Sequence, residues 1–184
     1  MTLREQINRY VPYNEQEARD KEVILRHLSQ PDIFYRANTL AHMTASAWVV
    51  NPGRTKVLMA YHNIYDSWAW LGGHADGETD LLKVALKEVR EESGVQSARP
   101  VTGDIYSLEV LTVDGHIKKG AYVSSHLHLN VTYLIEADEA DALLIKPDEN
   151  SGVKWFSLED AINASSEAWY RLHIYNKLNA KLQL

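Results

Sequence analysis

The stretch that determines the fold is residues 72–95, which read GGHADGETDLLKVALKEVREESGV. Its second part predicts a helix over residues 79–93, ended by Gly94, because glycine readily adopts the left-handed conformation found at helix C-termini. Apolar residues recur there at helical spacing and form a stripe that would pack the helix onto a sheet. They are Leu82, Ala85, Leu86 and Val89. Residues 72–77 are predicted to be a glycine-rich loop between a short aromatic strand, 68–71, and the helix.

Three glutamates of the predicted helix share one face. Glu88, Glu91 and Glu92 stand at positions i, i+3 and i+4, so their side chains project from a narrow stripe. An acidic stripe is usually a solvated helix face. Here, however, Glu88 and Glu92 repel each other, and all three lie near the helix C-terminus, where the helix dipole disfavours anions. The arrangement therefore favours a site for Mg²⁺, which prefers oxygen ligands.

The flanking sequence alternates between strand and helix patterns. Strands are predicted at 44–50, 55–61, 104–113, 121–135 and 152–156. The segment between the third and fourth strands contains Lys118 and Lys119 and is predicted to be a solvated loop tip. Helices are predicted after the capping-box-like sequence that starts at Ser157 and over residues 166–184. This order predicts an α/β fold in which helices cover both faces of a mixed β-sheet, an α/β/α sandwich.

An N-terminal helical segment precedes these elements. Asn14 and Glu17 have the spacing of a capped helix start, and apolar residues continue at helical intervals until Pro31. We therefore expect two units, an N-terminal helical appendage over residues 1–36 and a main domain over residues 37–184.

The composition excludes several classes of function. The 184 residues include 19 Lys and Arg against 25 Asp and Glu, a formal net charge of −6, so the basic surplus that binds nucleic acid or anionic membranes is missing. The chain has no cysteine, which excludes disulfides, thiolate zinc sites and cysteine nucleophiles. Any metal must therefore bind oxygen or imidazole ligands. The charged N-terminal sequence and the lack of a long apolar run lead us to expect a cytoplasmic protein.

Residues 73–95 resemble the signature of the Nudix hydrolases, which ends in Arg-Glu-aliphatic-x-Glu-Glu-x-Gly-aliphatic. The matching residues are Gly73, Glu88, Val89, Glu91, Glu92, Gly94 and Val95. The front of the signature departs from the family, because Lys87 replaces its Arg, Thr79 replaces its first Glu, and Trp70-Leu71-Gly72-Gly73 replaces Leu-Pro-Gly-Gly. Aligned from Gly72 instead, Glu78 has the expected spacing, but the segment up to Lys87 is one residue too long. The order of strands and the closing helix also resemble the family over roughly residues 40–180.

The resemblance implies an α/β/α sandwich whose residues 37–184 form a catalytic domain. The expected reaction is hydrolysis, dependent on Mg²⁺ or Mn²⁺, of a nucleoside diphosphate derivative or a similar small organic diphosphate. Glu88, Glu91 and Glu92 would be the catalytic metal ligands, and Gly72 and Gly73 would let backbone N–H groups approach the substrate phosphates. Two alternatives stay open. One is a non-catalytic, nucleotide-sensing module with this fold, and the other, disfavoured by the missing cysteine, is an enzyme similar to isopentenyl diphosphate isomerases.

Three histidines are further candidates for substrate binding. His126 and His128 alternate with leucines, so both imidazoles lie on the polar face of the strand predicted over 121–135. That face is either solvated or lines the substrate cleft, where the histidines would bind phosphate or orient water. His74 lies between glycines and acidic residues and belongs to the same set.

Other residues have an ordinary structural interpretation beside a functional one. Glu109 and Glu149 could each add a metal contact or a base, but an ordinary surface carboxylate is the more common case. Trp68 and Trp70 could stack on a nucleobase, although a tryptophan on a strand is more often part of the core.

Overall fold

The computed structural model describes residues 1–118 and 120–183. Lys119, of the predicted loop tip, and Leu184, the last residue of the predicted final helix, lie outside the described residues. Two helices, α1 (Leu3–Arg9) and α2 (Glu15–His27), precede the first strand. The following elements are β1 (Ala41–Val50), β2 (Lys56–His62), β3 (Ser67–Ala69), β4 (Leu71–His74), α3 (Leu81–Ser93), β5 (Arg99–Pro100), β6 (Ser107–Val113), β7 (His116–Lys118), β8 (Ala121–Val123), β9 (His126–Glu136), β10 (Asn150–Ser157) and α4 (Leu158–Ala164). A C-terminal helix closes the fold in three consecutive pieces, Ala168–Tyr170, a π-helical Arg171–Tyr175, and Asn176–Lys181.

Eight of the described strands form one mixed sheet. Its central order is β10-β2-β1-β9-β5, with β3 beside β2, β4 beside β1 and β6 beside β9. Strands β1 and β9 run parallel along the whole of β1, and the other pairs in this sheet are antiparallel. Strands β7 and β8 form a separate antiparallel pair.

Helices cover both faces of the sheet because both faces of β1 carry apolar side chains. Ala45 and Val49 belong to a core cluster that α3 completes and that also includes Ile24 of α2. Trp48 and Val50, on the other face, pack with α4 and the C-terminal helix. This confirms the predicted α/β fold with an α/β/α arrangement. Among the described helices, none combines the length and apolar character that a bilayer span requires.

The glycine-rich segment begins as a strand, which corrects the prediction of a loop from residue 72. In β4, Gly72 pairs with Ser46 and Gly73 with Ala45. A Cβ on Gly72 would lie 2.5 Å from the Ala45 carbonyl oxygen, so only glycine lets the two strands approach this closely. Only the turn after His74, with Gly77 at φ 92°, is irregular as expected.

Other boundaries differ for local reasons. Helix α3 starts at Leu81, two residues later than predicted, because the Asp80 side chain accepts a hydrogen bond from the Lys83 amide and caps the helix there. The strand predicted over 121–135 is divided into β8 and β9. Helix α1 was not predicted, although the Thr2 side chain and Glu5 form a capping box at its start.

A buried ionic network joins the N-terminal segment to the rest of the chain. Glu17 of α2 is fully buried and pairs with Lys177 at 3.3 Å and Lys181 at 3.0 Å. Lys177 also pairs with the fully buried Glu109 at 2.9 Å. The predicted cap is present, since the Asn14 side chain accepts a hydrogen bond from the Glu17 amide at 2.9 Å. The division into two units at residue 36 stays a prediction.

Candidate functional site

Two glutamates of α3 and one from the turn before β10 form an acidic group. Glu88 and Glu92 lie one helical turn apart and are 8% and 7% exposed. Glu149 joins them, so that one carboxylate oxygen of each residue lies within 4.8 Å of those of the other two. Sets of carboxylate oxygens bind hard divalent cations such as Mg²⁺ and Mn²⁺. Glu149, interpreted from the sequence as an ordinary surface carboxylate, is thus part of the group.

The glycines of β4 make room for the acidic group. A Cβ on Gly73 would lie 2.6 Å from the carboxyl carbon of Glu88, so this side chain occupies space that only glycine leaves open. The Gly72 amide donates a hydrogen bond to Glu92 Oε2 at 3.0 Å. Both glycines therefore contact the carboxylates, and their predicted contact with substrate phosphates stays a prediction.

A buried asparagine positions Glu149. The side-chain amide of Asn150 donates a hydrogen bond to the Glu92 carbonyl oxygen at 2.9 Å, and its oxygen accepts one from the Lys146 amide at 3.1 Å. Asn150 is 2% exposed, so these bonds are shielded from water. They attach the turn that carries Glu149 to the C-terminal end of α3.

The electrostatics of the acidic group suit a divalent cation. Burial raises the pKa of Glu92 to about 8, and repulsion from Glu88 and Glu149 adds to this effect, while the Gly72 amide opposes it. Lysines supply part of the balancing charge, with Lys87 3.0 Å from Glu88 and Lys146 3.0 Å from Glu149. A divalent ion among the three carboxylates would stabilise their ionised forms. The donor set therefore fits Mg²⁺ or Mn²⁺.

Glu91 has a different environment from its two neighbours. Its carboxylate lies 3.5 Å from the ammonium groups of Lys87 and Lys146, and its side chain is 42% exposed. The structure thus brings Glu88 and Glu92 together with Glu149, and leaves Glu91 on the solvent side. The role of Glu91 as a metal ligand stays a prediction.

Four histidines form a second group on the polar face of β1, β4 and β9. In the sheet register, His42 of β1 pairs with His128 of β9, and Thr44 of β1 pairs with His74 of β4. The ring centroid of His42 lies 5.1 Å from His74, 4.9 Å from His126 and 5.0 Å from His128. The structure therefore brings the three predicted histidines together around His42, which the sequence analysis missed. The alternation of His42, Thr44 and Ser46 in β1 mirrors that of β9 and could have revealed it.

Burial favours the neutral form of two of these imidazoles, His42 and His128. Burial lowers the pKa of His128 to about 2, and the neighbouring histidines add to the decrease. Burial also lowers the pKa of His42. The charge of Arg36, which forms a bidentate ion pair with Asp76, acts on His42 and His128 and also on Glu88 and Glu149. The charge of Arg36 therefore lies within electrostatic range of residues of both groups.

The deeper part of the polar face is buried, not solvated. Asn130 and Thr132 are 1% and 0% exposed, and their side chains donate hydrogen bonds to Glu109 at 3.0 and 2.7 Å. Since Lys177 pairs with the same carboxylate, Glu109 is a structural ion-pair partner. The interpretation of Glu109 as a surface carboxylate is wrong, because the C-terminal helix covers this end of the strand.

The remaining sequence candidates lie outside both groups. Glu78 lies just before α3 and forms an ion pair with Lys83 at 2.5 Å. Trp68 and Trp70 are partly buried and pack against the second core cluster, as expected. Trp68 contacts Phe156 edge to face, with ring centroids 4.9 Å apart.

Comparison with known proteins gives one family and several similar folds. A family model described as NUDIX domain matches residues 40–178. An Ap4A hydrolase from C. elegans, solved as a binary complex, is 20% identical, with a TM-score of 0.55 and coverage of 77% of this chain and 94% of that one. A NUDIX-family hydrolase from Clostridium perfringens is 20% identical, with a TM-score of 0.55 and coverage of 77% and 97%. A further structure of a C. elegans Ap4A hydrolase is 21% identical, with a TM-score of 0.51 and coverage of 77% and 95%. A search of curated proteins finds no match. At these identities, the solved structures show a shared fold.

Proposed function

Because the chain belongs to the NUDIX family and is a hydrolase that acts on diphosphate bonds, we propose that it cleaves a nucleoside diphosphate derivative or a similar small organic diphosphate in a metal-dependent reaction. The observation that supports this most directly is the acidic group of Glu88, Glu92 and Glu149. Two of these carboxylates are buried together, an arrangement that is costly unless a cation binds there.

The acidic group would hold Mg²⁺ or Mn²⁺. Glu88 and Glu92 are the inner ligands in this proposal, and Glu91 approaches from the solvent side. The bound ion would neutralise negative charge on the phosphate oxygens as the diphosphate bond breaks.

The side chains of the chain itself would orient the substrate and move a proton. Glu149 belongs to the acidic group and its side chain is 40% exposed, so in this proposal its carboxylate accepts the proton of an attacking water. Lys87 and Lys146, which already pair with the carboxylates, can turn towards phosphate oxygens. Gly72, Gly73, His74, His126 and His128 are the proposed substrate contacts on the β4 and β9 side. The cytoplasmic location expected from the sequence stays a prediction.

A substrate panel tests the proposed function. We expect hydrolysis of at least one of Ap4A, a nucleoside triphosphate or a nucleotide sugar, abolished by a chelator and restored by Mg²⁺ or Mn²⁺. Ap4A is the first compound to test, because two of the similar structures are Ap4A hydrolases. The Glu88→Gln variant should lose this activity, whereas Glu159→Gln, at an exposed position on α4, should keep it.

Two results would contradict the proposal. Turnover that persists in the chelator would exclude the metal-dependent reaction. Binding of a nucleotide without hydrolysis of any compound would favour the nucleotide-sensing module instead.

A further inference from the structure

The histidine group, defined as His42, His74, His126 and His128, has the properties of a nitrogen-donor site. His42, His74 and His128 each offer a ring nitrogen within 4.8 Å of those of the other two. Three neighbouring strands supply them, with β1 between β4 and β9, so the backbone positions are fixed by sheet pairing. A site built on paired strands holds its donors more firmly than one built on loops.

One nitrogen of His42 lacks any partner within the described part of the protein. His42 is 4% exposed, and its Nδ1 lies 3.0 Å from the Asn38 carbonyl oxygen, to which it donates a hydrogen bond. That bond fixes the tautomer in which Nε2 carries the free lone pair, and Nε2 is buried without a hydrogen bond. Buried polar atoms normally have partners, so an unpartnered one beside three other imidazoles indicates that a ligand belongs there.

The orientation of these rings matches that of metal-binding histidines. Histidine ligands commonly donate their second ring N–H to a carbonyl, which fixes the ring and increases its basicity. His42 does so with Asn38, and His126 does so with the Ser124 carbonyl, 2.8 Å from its Nδ1. His126 Nε2 and His128 Nε2 lie 3.2 Å apart and share a hydrogen bond. Two nitrogens bound to one tetrahedral Zn²⁺ are about 3.4 Å apart, so an ion that displaces this hydrogen bond would need little movement of the two rings.

We propose that His42, His74 and His128 bind a divalent transition-metal ion of the Zn²⁺ class, with His126 as the fourth candidate ligand. The site is chemically distinct from the acidic group, because imidazole nitrogens select Zn²⁺-class ions whereas carboxylate oxygens select Mg²⁺. A contact of His74, His126 or His128 with substrate phosphate does not account for the buried Nε2 of His42, which a bound ion would pair. The proposal does not depend on hydrolysis, and its test requires no turnover.

Metal titration of the purified full-length protein tests the site. Wild type, His42→Gln and His128→Gln are freed of metal and titrated with Zn²⁺ by calorimetry, and with Co²⁺ by visible absorption. His173→Gln, at an exposed position of the C-terminal helix, is the matched control, and a double Glu88→Gln, Glu92→Gln variant removes most of the acidic donor set. We expect one Zn²⁺ to bind in the control and in the acidic variant. Its affinity should fall by about 100-fold or more in the two histidine variants.

Three results would overturn the proposal. They are no Zn²⁺ binding by wild type, full Zn²⁺ binding in His42→Gln and His128→Gln, and Zn²⁺ binding that disappears only in the acidic variant. The first would leave the four histidines as a polar network, and the third would assign the ion to the carboxylates.

A spectroscopic measurement separates lost ligands from lost folding. X-ray absorption of the wild-type Zn²⁺ complex should show at least three nitrogen neighbours at about 2.0 Å with imidazole scattering. A spectrum of oxygen neighbours alone would refute the site. If His42→Gln does not fold, His74→Gln replaces it, because His74 is less buried and its substitution disturbs the core less.

Discussion

At the scale of single residues, the absent side chain of Gly73 gives the Glu88 carboxylate its position beside Glu92. We expect Gly73→Ala to displace Glu88 by about 1 Å, since the added methyl group would lie 2.6 Å from its carboxyl carbon. The value of kcat should fall by about 10- to 100-fold, and the Mg²⁺ concentration for half-maximal activity should rise. Steady-state kinetics across a Mg²⁺ titration measures both effects.

Gly53→Ala is the matched control for this substitution. The nearest atom to a Cβ at Gly53 is 3.7 Å away, in the turn after β1, so its kinetics should equal those of wild type. Unchanged kinetics and Mg²⁺ dependence in Gly73→Ala would show that the position of Glu88 does not matter for the reaction.

Local sequence patterns revealed only some of the residues that meet at the site. Glu88 and Glu92 were predictable, because a spacing of four residues on a helix fixes their proximity. Glu149 was not, because it reaches them through the pairing of β10 with β2 and the buried bonds of Asn150, which no local pattern encodes. His42 was missed for the same reason, since its neighbours come from two other strands.

At the scale of elements, Glu17 attaches α2 to the C-terminal helix. Burial disfavours ionisation of Glu17, but its ion pairs with Lys177 and Lys181 and the hydrogen bond from Tyr10 outweigh burial and lower its pKa. We expect Glu17→Gln to reduce the free energy of unfolding by about 3 kcal/mol, the effect of removing one partner from a buried ion pair. Glu15→Gln, on the same helix with its side chain 85% exposed, should change it by less than about 0.5 kcal/mol. Denaturant unfolding of the two variants measures the difference.

The pH dependence of this difference follows from the sign of the pKa shift. A carboxylate whose pKa is lower in the folded state than its ordinary value of 4.5 stabilises the fold above that pH, and this stabilisation is lost as the pH falls through the folded-state pKa. The gap in unfolding free energy between wild type and Glu17→Gln should therefore be full at neutral pH and shrink below about pH 4.5. A gap that does not change with pH would show that the charge of Glu17 is not what stabilises the helix contact.

Element types were more predictable than element ends. The amphipathic pattern of α3 and the alternation of β9 gave the correct element types, because both follow from the repeat of one burial face. The start of α3 was set by the Asp80 cap, and the glycines of β4 entered a strand because β1 lies close enough to pair with them. Periodicity along the sequence indicates the type of an element, whereas the strand pairing of the β4 glycines depends on a neighbouring strand.

At the scale of the whole molecule, the sandwich carries two donor sets of different chemistry. The C-terminal end of α3 and the turn before β10 carry the carboxylates, while β1, β4 and β9 carry the imidazoles. The charge of Arg36 acts on both. This arrangement predicts that binding of a cation to the carboxylates stabilises the fold, since it relieves the repulsion among buried anions.

The most direct measurement is a pair of experiments on one variant, Glu92→Gln, in which a charge is removed at nearly constant shape. Without metal, the variant should unfold at the same temperature as wild type or a higher one, because burial disfavours the ionised form of Glu92 and glutamine avoids this cost while it still accepts the Gly72 hydrogen bond. Its kcat with Mg²⁺ should fall by at least about 100-fold, and Mg²⁺ should no longer raise its melting temperature. A Glu92→Gln protein with full Mg²⁺-dependent activity would contradict the assignment of this acidic group as the catalytic cation site.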